Sequence, residues 1–165
     1  MTWRHFDGST DNAYLAHFAR RLSDLIIAQG DEMLAQHRLR TPASSVSTVL
    51  FLWKAKKATV TELSDAFSYT HQMAAQRIKG LEDIGLVKRI ANESDRRSRL
   101  IALTQNGAKE AEQLAIITKN AAVAIEHLFK ELNVNLTAKI LEAEQCLQKA
   151  SLAERMKNRK RYSGK

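Results

Sequence analysis

Residues 59–103 read TVTELSDAFSYTHQMAAQRIKGLEDIGLVKRIANESDRRSRLIAL, and this stretch decides the fold. Thr59-Val60-Thr61-Glu62 has the spacing of a capping box, in which the first and fourth residues each satisfy a free backbone N–H of the other. A short helix should begin there and bury Leu63 and Phe67. Only Ser68-Tyr69-Thr70 separates it from a second helix, which Thr70 caps and Gly85 ends as a C′ glycine, with Ala74, Ile78 and Leu81 on one face. Two short helices joined by so tight a turn make a helix-turn-helix. Residues 86–90 and 99–103 are then β-prone runs on either side of a polar segment, which predicts a hairpin with a charged tip. Helix, turn, helix and an arginine-tipped hairpin together form the layout of a winged helix.

Outward from that stretch, the chain has the material of an ordinary globular protein. Its 165 residues are 44% hydrophobic and 27% charged, enough to bury a core without staples. The apolar runs, such as residues 49–53 and 121–125, fall far short of the roughly 18 residues of a membrane span. Residues 1–7 hold no apolar signal core, so a cytoplasmic location is expected. The single cysteine, Cys146, excludes an intrachain disulfide and reads as a packing thiol of a reducing compartment. Six glycines and one proline, with abundant Ala, Leu, Lys and Gln, leave most of the chain to helix.

Leu15, Phe18, Leu22, Leu25, Ile26, Met33 and Leu34 recur at steps of three and four, which predicts an amphipathic first helix with Gly30 as a point where it bends. Pro42 suits the first position of a second helix through Val46, Val49, Leu50 and Trp53 to about Lys57. Thr104 opens a long helix whose stripe runs through Ala111, Leu114, Ile125 and Leu128 to Leu132. At ~1.5 Å per residue it extends roughly 40 Å, more than one small winged domain covers. A last helix carries Leu136, Ile140, Ala143, Leu147 and Ala150. These stripes need a second surface, and a two-fold homodimer supplies it. Residues 155–165 hold six Lys/Arg and no Asp/Glu, which predicts a solvated end that frays.

The net charge of +8 favours a polyanionic partner, and its placement says more than its sum. Residues 54–103 carry ten Lys/Arg against six Asp/Glu. On the helix after Thr70, the inner face leaves Gln72, Ala75, Gln76 and Lys79 pointing outward. Glutamine pairs bidentately with adenine and lysine reaches phosphate or guanine. Thr70 and His71 stand at the helix N-terminus, where free N–H groups favour a phosphate. At the hairpin tip Arg96, Arg97 and Arg99 are candidates for a narrow minor groove, with Arg97 the one to insert and Asp95 the organiser of the wing. Outside a winged layout the same residues read as a solvated turn and ordinary exposed polar positions.

From about Val46 to Leu114 the sequence resembles the MarR-type transcriptional regulators. Thr61-Glu62-Leu63-Ser64 is similar to the start of their helix-turn-helix, and residues 81–89, LEDIGLVKR, to their helix-to-wing junction. Asp95 to Thr104 fits their wing signature, D-x-R-x-x-x-x-x-L-T. Ala75-Gln76 departs from the Thr-Arg common in the family, and Gly80 replaces a stronger helix former, so no operator sequence carries over. The resemblance implies a dimeric regulator of double-stranded DNA, more often a repressor, released from a pseudo-palindromic operator by a small, often aromatic effector. Such an effector would lie between the dimerisation helices and the winged domain. Tyr14, His17, Phe18, Phe51 and Trp53 are candidates to line that pocket, although aromatics at helical spacing also read as core.

The chain has no Gly-rich phosphate loop, no H-E-x-x-H and no G-x-S-x-G, and its five histidines are scattered, so no enzyme, metal or cofactor is expected. A winged-helix module that binds protein is the alternative, and it predicts an apolar outer face where Gln72, Gln76 and Lys79 stand. The expected fold is mainly α: a winged helix-turn-helix with a two-stranded β wing, plus N- and C-terminal dimerisation helices. Its expected segments are an N-terminal dimerisation helix over 11–40, the DNA-binding domain over 42–103, C-terminal dimerisation helices over 104–152 and a disordered basic tail over 153–165.

Overall fold

A 3-10 turn over Asp11–Tyr14 leads into α1 (Leu15–Gln36), and a second such turn, Ala43–Ser45, leads into α2 (Val46–Ala55). Then come β1 (Lys57–Thr59), α3 (Val60–Phe67), α4 (His71–Asp83), β2 (Val87–Ala91), β3 (Arg99–Leu103), α5 (Gln105–Glu131), α6 (Leu136–Lys149) and α7 (Leu152–Lys157). These elements belong to a computed structural model that describes residues 11–95 and 97–157. The chain divides between Ile116 and Ile117 into two compact units, and α5 begins in the first and ends in the second.

In the first unit, Leu52 on α2, Leu63 on α3, Ile78 and Leu81 on α4, Leu86 just before β2 and Ile101 on β3 are fully buried. The period-3.6 pattern put Ala74, Ile78 and Leu81 on one face, and all three are in the core. Leu63 is buried as well, whereas Phe67 is half-buried in a ring stack. Pro42, extended at φ −61 and ψ 139, caps the 3-10 turn before α2 instead of opening α2 itself.

The expected two-stranded wing is the antiparallel β2–β3 hairpin, and β1 extends it into a three-stranded antiparallel sheet of order β1-β3-β2. Sequence reading carried the second helix to about Lys57, but Lys56 takes φ 69 and stops α2 at Ala55. Lys57 to Thr59 then pair with Ala102 to Leu100. The strand has three residues and gains its hydrogen bonds from a segment more than forty residues away, so no local period announces it.

Glycine is required at two places in this unit. Gly85 takes φ +73, and around it Gly85 N–H donates to Glu82 O and Leu86 N–H to Leu81 O, both at 2.9 Å. That pair of bonds is a Schellman motif and turns the chain from α4 into β2. Gly107, in the first turn of α5, is buried against backbone: a Cβ there would run into the Leu86 carbonyl. Gly30 does not break α1; a Cβ at that position would stand 2.9 Å from the Ala43 Cβ, so its role is close approach rather than a bend.

The second unit holds the end of α5, then α6 and α7. Asn135 caps α6 by accepting from Ala138 N–H at 3.0 Å. The tail expected to fray from residue 153 instead carries α7, and Arg155 donates to Ala150 O (2.9 Å) and Cys146 O (2.6 Å) at the end of α6. Residues 158–165, the rest of that tail, lie outside the described residues, as does His5. α6 buries none of its residues, and Ile140, Leu141 and Leu147 are exposed.

Two glycine substitutions should separate steric need from helix propensity. Gly107→Ala should cost about 1–3 kcal/mol of stability through overpacking. Gly80→Ala, at a helix position where a Cβ meets nothing within 4 Å, should gain roughly 0.5–1 kcal/mol. Urea unfolding of both variants checks the opposite signs.

Candidate nucleic-acid interface

The helix-turn-helix is built by short polar side chains at helix starts. Thr59 N–H donates to Glu62 Oε2 at 2.6 Å, and Glu62 N–H donates to Thr59 Oγ1 at 3.1 Å, which completes the capping box of α3. The Thr59 N–H, and next the Thr59 hydroxyl, which also donates to Glu62 Oε2 at 3.0 Å, hold the Glu62 carboxyl below its ordinary value. The turn between α3 and α4 is closed by Ser64, whose hydroxyl donates to Tyr69 O at 2.7 Å while Tyr69 N–H donates to Ser64 O at 2.9 Å. Ser68 takes the left-handed conformation at φ 52. Thr70 then caps α4 by accepting from Met73 N–H at 3.2 Å, and His71 Nε2 lies 3.2 Å from Thr61 Oγ1.

Six of the nine residues singled out for DNA contact stand on α4 or at its start, and all six are exposed: Thr70, His71, Gln72, Ala75, Gln76 and Lys79. Two shallow surfaces flank Gln76. One is shared by Gln72, Ala75, Lys79, Glu82, Asp83 and Arg89, the other by Ser44, Ser45, Met73, Arg77 and Gly80. Glu82 accepts from Arg89 Nε at 3.1 Å, so Arg89 on the first surface is paired. Arg77 lies on the second, with its guanidinium carbon 4.4 Å from the Tyr69 ring centroid.

At the wing, Asp95 Oδ1 accepts from Arg97 N–H at 3.0 Å, and Asp95 O accepts from Ser98 N–H at 3.1 Å and from its hydroxyl at 3.2 Å. Asn92 Nδ2 donates to Ser98 Oγ at 2.8 Å, and Asn92 Oδ1 accepts from Ser94 N–H at 3.1 Å. The tip is thus a set of side-chain-to-backbone turns that hold Arg97 and Arg99 on an ordered hairpin, both exposed. Arg96 lies outside the described residues.

The five aromatics proposed for an effector pocket fall into separate contacts. His17 meets Phe18 edge-on at 5.8 Å, and Phe51 meets Phe67 at 5.6 Å. Trp53 borders an open recess with Leu50, Lys54 and Lys56, and Tyr14 is exposed. Among the described residues, no group of three or more His, Cys, Asp or Glu side chains is placed to hold a metal ion. Among them, too, no helix is long and apolar enough to cross a membrane.

Sequence reasoning missed Arg77, the Glu82–Arg89 pair and the Asn92–Ser98 brace. Asn92 and Ser98 carried a signal, since both are turn formers flanking the tip. Arg77 carried none, because its stacking partner lies across the turn.

Helix-turn-helix followed by an antiparallel wing defines a winged-helix protein. Residues 42–98 match the MarR family model. The members of that family are transcription regulators rather than enzymes. In fold the chain is similar to S. aureus MepR in complex with DNA, at 21% identity and a TM-score of 0.64 over 80% of this chain and 96% of that one. It is likewise similar to a cysteine-to-serine mutant of E. coli MarR complexed with operator DNA, at 20% identity and a TM-score of 0.64 over 88% and 99% of the two chains. Overoxidised AbfR bound to DNA matches at 25% identity and a TM-score of 0.57 over 79% and 93%. Among curated proteins, none matches.

The α3 cap gives a direct test. Thr59→Ala should cost about 1 kcal/mol of stability. Because the Glu62 carboxyl is lowered in the folded state, its contribution is present above the ordinary value of 4.5 and is lost as the pH falls through the lowered one. Thermal melts of the parent and of Glu62→Gln should therefore differ at neutral pH and converge in acid.

Proposed function

We propose that the protein is a dimeric, sequence-specific DNA-binding transcription regulator that acts as a repressor on a pseudo-palindromic operator. The MarR-family region and the DNA-bound relatives support a DNA-binding regulator. The observation that carries the reading is the exposed polar face of α4, together with a wing on which Arg97 N–H is held by a turn bond to Asp95. Gln72, Gln76 and Lys79 read base edges and phosphates in the major groove; Arg97 enters the adjacent minor groove. Occupancy of a promoter by such a dimer blocks it without any further surface.

Dimerisation is supported by the apolar residues that the single chain leaves exposed. Leu15, Leu22, Leu25 and Ile26 on α1, Val123 on α5, Leu132 just after it, and Ile140 and Leu147 on α6 all stand at least 40% accessible. At roughly 25 cal/mol per Å² their burial against a second copy is strongly favourable. An effector acts on this assembly only through different affinities for its DNA-competent and incompetent forms.

Selection of genomic fragments by the purified protein at a stated salt concentration should return a pseudo-palindrome with half-sites about 10 base pairs apart. Light scattering should give twice the 18.6 kDa of one chain. Gln76→Ala should relax preference at one position in each half-site by ~1–3 kcal/mol and leave random-duplex binding nearly intact. A monomer at micromolar concentration, or fragments with no shared sequence, would sink the reading.

The wing and the basic end differ in what they contribute. Since Arg155 is held against α6, the informative truncation removes residues 158–165, which carry four Lys/Arg. Arg97→Ala should weaken operator binding far more than this truncation, which should mainly lower the salt dependence and the affinity for random duplex. Titration of both variants on both DNAs compares them. The reverse order would place the contact in the C-terminal residues instead of at 95–99.

A further inference from the structure

The two surfaces beside Gln76 differ in charge, and the difference concerns a residue that the α4 pattern leaves out of the base-reading face. On one side Lys79 and Arg89 share their surface with Glu82 and Asp83, and Arg89 is bonded to Glu82. On the other, Arg77 is half-buried beside Ser44, Ser45 and Gly80, and among the described residues no carboxylate lies within ion-pair distance of it. Its guanidinium is nevertheless fixed. It lies 4.4 Å from the centroid of Tyr69, whose ring stacks on Phe67 at 5.3 Å and whose hydroxyl is 3.5 Å from Ser47 Oγ on α2. Phe67 is in turn packed edge-on against Phe51. The side chain therefore enters any complex with much of its ordering entropy already lost.

A cation that is rigid, unpaired and set in a recess next to a base-reading glutamine is arranged for an anion. Residues that flank the base-reading stripe of a helix in the major groove meet the sugar-phosphate backbone. A planar guanidinium matches the two free oxygens of a phosphodiester with parallel N–H donors. We infer that Arg77 is a backbone-phosphate contact: it grips a DNA phosphate beside the base read by Gln76, and Tyr69 is the positioning residue that holds it there. The inference rests on the DNA-binding reading above. It makes the α2 side of the recognition helix the cationic one and leaves the carboxylates of Glu82 and Asp83 on the opposite side.

Affinity for random duplex, measured over a salt series, tests it, because each phosphate neutralised contributes about 0.9 to the slope of log K against log salt. Arg77→Ala should lower that slope by about 0.9 for each bound protomer and cut affinity about tenfold at low salt. Arg77→Lys should restore the slope with only part of the affinity. Tyr69→Leu should keep the slope and lose affinity severalfold. If Arg77→Ala folds poorly, Arg77→Gln, neutral and nearly as long, gives the same slope measurement. A parent-like slope in the neutral variants, whatever their melting temperature, reduces the Arg77–Tyr69 stack to a packing contact and overturns the assignment. If the parent itself binds duplex without salt dependence, the DNA-binding reading fails first and the Arg77 contact with it.

Discussion

Leu86 is the residue on which the winged unit turns. Its side chain is fully buried, its N–H closes the end of α4 on Leu81 O, and its carbonyl accepts from Thr104 N–H at 2.9 Å and more weakly from the Thr104 hydroxyl at 3.3 Å. The same hydroxyl donates to Gly85 O at 2.7 Å and accepts from Gly107 N–H at 3.1 Å. One dipeptide thus ends the recognition helix, starts the wing and receives the first turn of α5. Apart from the short Thr104 hydroxyl these groups are backbone, so their geometry is set by peptide dimensions and does not depend on the rotamers of long side chains. The absence of a Cβ at Gly107 is what lets α5 come this close.

A second tie fixes the entry to α2. The Glu110 carboxylate accepts from Thr41 N–H (3.1 Å), Thr41 Oγ1 (2.7 Å) and Arg40 N–H (3.2 Å), and Arg40 Nε lies 3.5 Å away. Asp31 on α1 accepts from Ala43 N–H at 2.7 Å. The linker between α1 and α2 is therefore held from two helices by carboxylates on backbone donors. Such bonds are charge-assisted and stronger than neutral ones. Thr41 is almost completely buried, so its two donors would be costly to leave without Glu110.

With the linker and the α4 end fixed, the functional face needs little of its own stabilisation. Ala74, Ile78 and Leu81 anchor α4 in the core, which leaves Gln72, Ala75, Gln76 and Lys79 to chemistry rather than to packing. The contrast with α6 is physical. α4 has a buried stripe and a polar outer face, while α6 has apolar residues and no buried one. The first has its apolar stripe buried within its own unit, and the second leaves its apolar residues exposed.

The sequence by itself determined everything that rests on spacings of a few residues. The capping box at Thr59 and Glu62, the Thr70 cap, the Gly85 turn, the inner face of α4 and the Asp95 turn at the wing tip all rest on steps of five positions or fewer. At that range backbone geometry alone decides which atoms meet. Only the tertiary structure decided the pairings between distant segments. It placed β1 on β3, Glu110 on Thr41 sixty-nine residues away, Arg89 on Glu82 rather than free, and Arg77 on Tyr69 across the turn. It also set His17 against Phe18 and Phe51 against Phe67. Each of these side chains has several chemically equal partners along the chain, and the choice among them falls to the packing of whole elements, which no local spacing records.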